Sequence, residues 1–340
     1  LHTVLQINGH EVQLLGGDHP LLDADRPIPS TPSLDVLLVH NVMTMPFNMG
    51  LRSRLIALAR DAGFCRQTRL VNWVHDVASV SPAYNSLPQA VRAELDHFGG
   101  TWTHVAVSGP VAENFRRATG LTAQVIPNGI NPARTLDLSP RIAQLAEQHN
   151  WWADSLVLLL PARFVPRKRI EDAISLVEQL QRNSITVDLL LTGARDPHIG
   201  NGSPAASYEQ EILARMASSP AAQRIHTLST QGPLSARDMS SLYHLCDAVI
   251  LPSETEGFGL PALEAAIHRK PFICNFISPL RDLPGTTPLD MRTPPFRSVV
   301  DVITGLAQDS ALKARKSVLS EHCWQSIYVR AIAPLLVAAR

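Results

Sequence analysis

Glu256 and Glu264 stand eight positions apart and flank the turn Gly257-Phe258-Gly259-Leu260-Pro261. The apolar run Ala248-Val249-Ile250-Leu251-Pro252 in front of them reads as a buried strand. Pro261 suits the first turn of a helix, where its missing N–H costs no hydrogen bond. The spacing therefore predicts a strand, a glycine turn and a helix whose N-terminus points over the sheet edge. Free N–H groups and the helix dipole favour an anion there, phosphate being the usual guest. Glu264, one turn into the helix, is placed to accept hydrogen bonds from hydroxyls such as those of ribose. Glu256, before the turn, is placed to hold a second polyol. Arg163 and Lys168 follow another aliphatic run, residues 156–160. An anionic group that gains charge during a reaction can be neutralised by such fixed cations and by helix N–H groups.

The same residues admit other readings. Residues 257–262 also spell G-x-G-x-x-A, the glycine pattern of a dinucleotide-binding dehydrogenase. Against that, the polar loop from Ser253 to Glu256 separates the pattern from its strand. The next apolar run, Phe272-Ile273-Cys274, ends in Asn275 rather than in an acidic residue. A purely structural strand, turn and helix is a third reading. Arg167 and Arg169 beside Lys168 would equally suit a solvated basic turn.

The elements that must position these groups repeat along the chain. In the first half, apolar runs at 11–15, 35–39, 70–74, 104–108 and 123–126 alternate with amphipathic stretches such as 51–62 and 87–98. This alternation predicts βα repeats around a parallel sheet. From Asn131 to Trp152 the pattern breaks, and Pro132 and Pro140 with a polar helix-like stretch predict a domain linker. A second series follows: a strand at 156–160, then a helix with Ile170, Ala173, Ile174, Val177 and Leu180 on one face. Strands at 185–191 and 224–228 come next, with Ser207 and Gln210 as a capping box at a helix start. Ser235 opens the helix that feeds the glutamate turn.

The stretch from Ser253 to Ala265 resembles the E-x7-E motif of retaining glycosyltransferases of family 4 (glycosyltransferase group 1). The resemblance covers nearly the whole chain, Gly9 to Leu336. It implies a GT-B fold: α/β, with two Rossmann-like domains facing each other across a cleft. The implied domains are 1–132, acceptor-binding; 133–323, nucleotide-sugar-binding; and 324–340, a terminal helix crossing back to the first domain. A terminal helix of the second domain is the alternative. The implied reaction moves a hexosyl unit from a nucleotide diphosphate sugar to an acceptor hydroxyl with retention and without a metal. A binding protein of the same fold that has lost turnover is the other function.

The resemblance also implies the site. Catalytic residues are His75, Arg163, Lys168 and Glu256. The donor nucleotide sugar lies against Arg163, Lys168, Gly257, Phe258, Gly259, Leu260 and Glu264. Pro161 to Lys168 matches the family's R-x4-K, whose cations grip the diphosphate. His75 ends the run Val71-Asn72-Trp73-Val74 and resembles the histidine that touches the donor sugar. Ile126 to Asn131 resembles the segment I-P-N-G-I-D, with Asn131 in place of the aspartate, and serves as a register mark. In this fold the acceptor enters through first-domain loops, which makes Asn41, Thr44 and Asn48 acceptor candidates; a surface loop with methionine core contacts is the alternative. No cofactor or metal is implied; the donor is a UDP-, GDP- or ADP-sugar, and the acceptor a carbohydrate, small molecule or lipid.

Composition bounds the rest. The 340 residues suggest about two domains. Lys+Arg and Asp+Glu are both 30, so no global charge favours nucleic acid. Cys65, Cys246, Cys274 and Cys323 are far apart; three lie in apolar runs and read as small core residues of a reducing compartment. Arg52, Arg54, Arg60, Arg66 and Arg69 accompany Leu51, Leu55, Ile56 and Leu58. They predict either a solvated helix face or peripheral contact with the inner face of a membrane by a cytoplasmic enzyme. The chain begins at Leu1 without Met, and 1–7 reads as the tail of a helix. On the family pattern, the opening strand and its Gly-rich loop are expected to precede it.

Overall fold

A computed structural model describes residues 1–15, 19–23, 25–27, 34–152, 155–193 and 204–337. It divides into two compact units. The first comprises Leu1–Ile130 and the segment from His322 onward; the second is Asn131–Glu321.

In the first unit, β1 (Val36–His40), β2 (Arg69–Val74), β3 (Thr103–Ala106) and β4 (Gln124–Val125) form one parallel sheet in that order. β2 is buried from Leu70 to Val74, as expected of a central parallel strand covered on both faces. Helices Met49–Arg60, Gln89–Leu95 and Gly109–Thr119 connect the strands. Residues 11–15 do not form the strand that their pattern predicts. Val12 packs on the core but Leu14 is 77% exposed, and no neighbouring strand pairs with them. Alternation supplies a face, not a partner.

The terminal segment belongs to this unit. Trp324–Ile327 and Ala333–Val337 are α-helical, joined by a π-helical turn at Tyr328–Ile332. Ile327, Ile332 and Leu335 share a buried cluster with Leu5, Val71, Trp73, Val105 and Ile126. The 126–131 segment is the anchor: Ile130 donates its N–H to His322 O at 2.8 Å and accepts from Trp324 N at 3.0 Å. Gly129 makes room for this crossing, since a Cβ there would lie 2.7 Å from the Trp324 ring.

The second unit holds a six-stranded parallel sheet. Its strands are β5 (Leu156–Leu160), β6 (Val187–Leu191), β7 (Ile225–Thr227), β8 (Ala248–Leu251), β9 (Phe272–Asn275) and β10 (Thr286–Leu289). All of Leu156–Leu160 is buried, and Ile170, Ala173, Ile174, Val177 and Leu180 of the Ile170–Arg182 helix pack inward. Residues 131–152 are not a linker. Pro140–Gln148 is a helix with Ile142 buried, and Trp151 is buried beyond it. Arg141 donates to the carbonyls of Leu228, Gly232 and Pro233, and Ser139 N to Ser241 Oγ. The two prolines that suggested a break each occupy the first turn of a short helix. Ser207 and Gln210 do not cap a start either. The helix begins at Pro204, a turn earlier, and Ser207 Oγ donates to Glu211 within it.

Arg52 and Arg54 are neither on a solvated face nor free to meet a membrane. They are 0% and 6% exposed. Arg52 donates to Met43 O at 2.8 Å and His97 O at 2.7 Å, and Arg54 to Leu21 O at 3.1 Å. A guanidinium on an apolar helix face can close a loop from inside as readily as it can face water. Among the described residues, no helix is long and apolar enough to cross a membrane.

Candidate functional site

The chain leaves β5 towards β6 and β7 on one side, then returns to β8 and continues to β9 and β10 on the other. β5 and β8 therefore flank a topological switch point, the place where open α/β sheets usually bind ligands. The loop after β5 carries Arg163 to Lys168; the loop after β8 carries Glu254 to Gly259.

Here the two loops meet. The Lys168 ammonium contacts Glu256 Oε1, both side chains being nearly buried. Arg167 Nη1 lies 3.5 Å from Glu256 Oε2 and donates to Thr255 O at 2.9 Å. Glu254 N donates to Arg167 O at 2.7 Å, which adds a main-chain tie between the loops. Arg163 is on the same loop with its side chain exposed. Asn275, which sequence reasoning weighed only as a missing acid, supports the turn from β9. Its Nδ2 donates to Ser253 O at 3.1 Å, and its Oδ1 accepts from Met291 N at 2.8 Å. An amide at a strand end beside a polar loop was the available signal.

Gly259 adopts φ +99°, a conformation that L side chains rarely take, and a Cβ there would lie 2.4 Å from Leu280 Cδ2. It releases the chain into the Leu260–Ile267 helix, which no side chain caps. Pro261 carries no N–H and Ala262 N donates to Gly259 O at 2.9 Å, so the N–H groups of Gly259 and Leu260 are those at this end with no acceptor among the described residues. By contrast, the Ile170–Arg182 helix after β5 has its first N–H bonded to Tyr208 Oη at 3.0 Å and two acids in its first turn. Of the two helices flanking the switch point, the one after Gly259 is electrostatically suited to an anion. Glu264 lies one turn along it and accepts a hydrogen bond from the buried Tyr243 hydroxyl at 2.6 Å. Phe258 and Leu260 are exposed, an apolar rim on the same turn.

The remaining candidates are in the first unit. His75 follows β2; its Nε2 is buried with no hydrogen-bond partner among the described residues. Its main-chain N–H and that of Asp76 donate to Asn41 Oδ1 at 3.3 and 3.2 Å. Thr44 is buried and donates its hydroxyl to Asp76 O at 2.6 Å. Asn48 caps the Met49–Arg60 helix, accepting from Leu51 N at 2.9 Å. Asn41 and Thr44 therefore hold the loop after β1 against the loop after β2, whereas Asn48 starts the next helix.

Residues 142–283 match the family described as Glycosyl transferases group 1. The matched segment lies within the second unit and contains both loops of the switch point. The second unit thus carries the region that matches this family, and both units are α/β with parallel sheets. Two curated relatives give particular comparisons. The chain is 27% identical over 224 residues to the lipopolysaccharide 1,2-N-acetylglucosaminetransferase of Salmonella typhimurium, which spans 63% of this chain and 56% of that protein. It is 29% identical over 192 residues to a glycogen synthase of Mycobacterium tuberculosis, 54% of this chain and 42% of that one. The chain thus spans about half the length of these relatives. Among solved structures it is similar to Anabaena Alr3699/HepE in complex with UDP, with 21% identity, a TM-score of 0.40 and coverage of 88% and 78%.

Proposed function

We propose that the protein is a retaining glycosyltransferase that moves a hexosyl unit from a nucleotide diphosphate sugar to an acceptor hydroxyl without a metal ion. The observation that carries this reading is the meeting of Lys168 and Arg167 with Glu256 at the switch point, beside an uncapped helix that carries Glu264. Cations and free N–H groups there match a diphosphate, and two carboxylates match hydroxyls. The family match over the same loops supports it. One relative is named for N-acetylglucosaminyl transfer to lipopolysaccharide and the other for glycogen synthesis, which supports a carbohydrate acceptor.

In this scheme Arg163 and Lys168 hold the diphosphate together with the N–H groups of Gly259 and Leu260. Glu264 holds ribose, and Glu256 the transferred sugar. The bond between the anomeric carbon and the diphosphate oxygen breaks with its electron pair on the diphosphate. The acceptor oxygen bonds to the anomeric carbon on the same face, and its proton passes to the leaving diphosphate. No protein nucleophile is required. The fixed cations act most strongly on the leaving group as its charge grows, which is what lowers the barrier.

Turnover of UDP-, GDP- and ADP-sugars with a glycan acceptor mixture, followed by NMR of the new anomeric centre, tests the proposal. We expect product with the donor's anomeric configuration and undiminished rate in excess EDTA. Inverted product would remove the retaining mechanism. Loss of activity in EDTA, restored by Mg²⁺ or Mn²⁺, would remove the charge scheme. Binding without turnover would make the protein a nucleotide-sugar receptor.

A further inference from the structure

Glu264 is exposed, but one of its oxygens is not free. Oε2 accepts a hydrogen bond at 2.6 Å from the hydroxyl of Tyr243, a residue 2% exposed on the Ala236–Leu245 helix. The Tyr243 ring lies flat on His268, with centroids 5.1 Å and planes 6° apart. His268 follows Glu264 by one helical turn and meets the ring of His244 edge-on at 4.9 Å. Burial raises the tyrosine pKa, and the bond to Glu264 raises it further, so the phenol stays a donor. An exposed glutamate otherwise samples several rotamers, which ligand binding must freeze. With Oε2 pinned by a rigid buried donor, Oε1 keeps its lone pairs for an outside hydroxyl.

We propose that Tyr243 is a positioning residue: by pinning Oε2 of Glu264 it aims Oε1 at the ribose hydroxyls of the donor nucleotide, and so makes the site select ribonucleotides over nucleotides that lack them. The inference rests on the assignment of Glu264 to ribose made above. It differs from a packing role in one measurable respect. A packing defect weakens every ligand of the site, whereas loss of the pinned carboxylate weakens only ligands that carry the hydroxyls.

The test is calorimetric titration of the protein with UDP, GDP and ADP and with their 2′,3′-dideoxy counterparts. Four proteins are compared: wild type, Tyr243→Phe, Glu264→Ala and the double variant. Tyr243→Phe keeps the ring on His268 and leaves Glu264 access to water, so circular dichroism should match wild type. We expect wild type to prefer the ribonucleotide. Tyr243→Phe should weaken that ribonucleotide roughly three- to tenfold, the cost of ordering a flexible side chain on binding, and leave the dideoxy affinity unchanged. On the Glu264→Ala background the tyrosine change should do nothing further. Equal weakening of both ligands, or an unchanged preference in Tyr243→Phe, would overturn the role of Tyr243. A wild type indifferent to the ribose hydroxyls would instead overturn the assignment of Glu264, and this inference with it.

Discussion

At the residue scale, three neighbouring cations have unequal surroundings. Lys168 is nearly buried against Glu256, whereas Arg167 reaches the same carboxylate with a side chain 51% exposed. Exposed ion pairs contribute little because water and salt screen them. A buried ammonium beside a ligand site keeps most of its field. Lys168→Ala should therefore lower kcat by about a hundredfold, as the loss of a fixed electrostatic donor does, with KM for the donor changing less; Arg163 is exposed, and Arg163→Ala should match that loss only because the proposed scheme sets it on the diphosphate. Arg167→Ala should cost well under that. Steady-state kinetics decides it, with circular dichroism as a fold control. An Arg167→Ala defect equal to that of Arg163→Ala would shift the cation register by four positions.

At the element scale, the turns and loop ties set the geometry. Gly259→Ala forces a left-handed residue into contact with Leu280. Such strain costs about 1–3 kcal/mol, and relief by unwinding the helix start would also remove its N–H groups. We expect a lower thermal midpoint and weakened nucleotide binding together; a stable variant with normal binding would contradict the role of this turn. Arg52→Leu should destabilise the protein by about 2–4 kcal/mol in urea unfolding, because two carbonyls lose a buried charged donor. Burial lowers the Arg52 pKa, opposed by Glu94 and Asp96, so it stays a costly cation that only its bonds justify. A change under about 0.5 kcal/mol, the range of ordinary surface positions, would mean that the loop holds itself. These elements also mark what the sequence could carry. Strands 156–160 and 248–251 and the helix after Gly259 were legible because each is specified locally, by an aliphatic run or by glycine and proline. The inward turn of Arg52, the integration of Pro140–Gln148 and the support from Asn275 depend on carbonyls distant in sequence, which no periodicity records. The Glu256 and Glu264 spacing was legible, but the Tyr243 donor was not, since it lies on a different helix and no local spacing records that contact.

At the scale of the whole molecule, each unit is a parallel α/β body, and the chain returns at Ile130 and His322 to complete the first. The second unit concentrates cations, uncapped N–H groups and two carboxylates at one switch point. The central claim is that this point binds a nucleotide diphosphate sugar. A ligand that binds only the native state raises its stability by mass action. The most direct measurement is thus thermal unfolding of wild type and Glu264→Gln with UDP-, GDP- and ADP-sugars and the free diphosphates, in EDTA. We predict that one nucleotide series, sugar and free diphosphate alike, raises the wild-type midpoint. In Glu264→Gln the affinity for both should fall by at least about tenfold, from roughly 1.5–3 kcal/mol for a hydrogen bond to a charged group. Stabilisation by no nucleotide, or equal stabilisation of wild type and Glu264→Gln, would contradict the account.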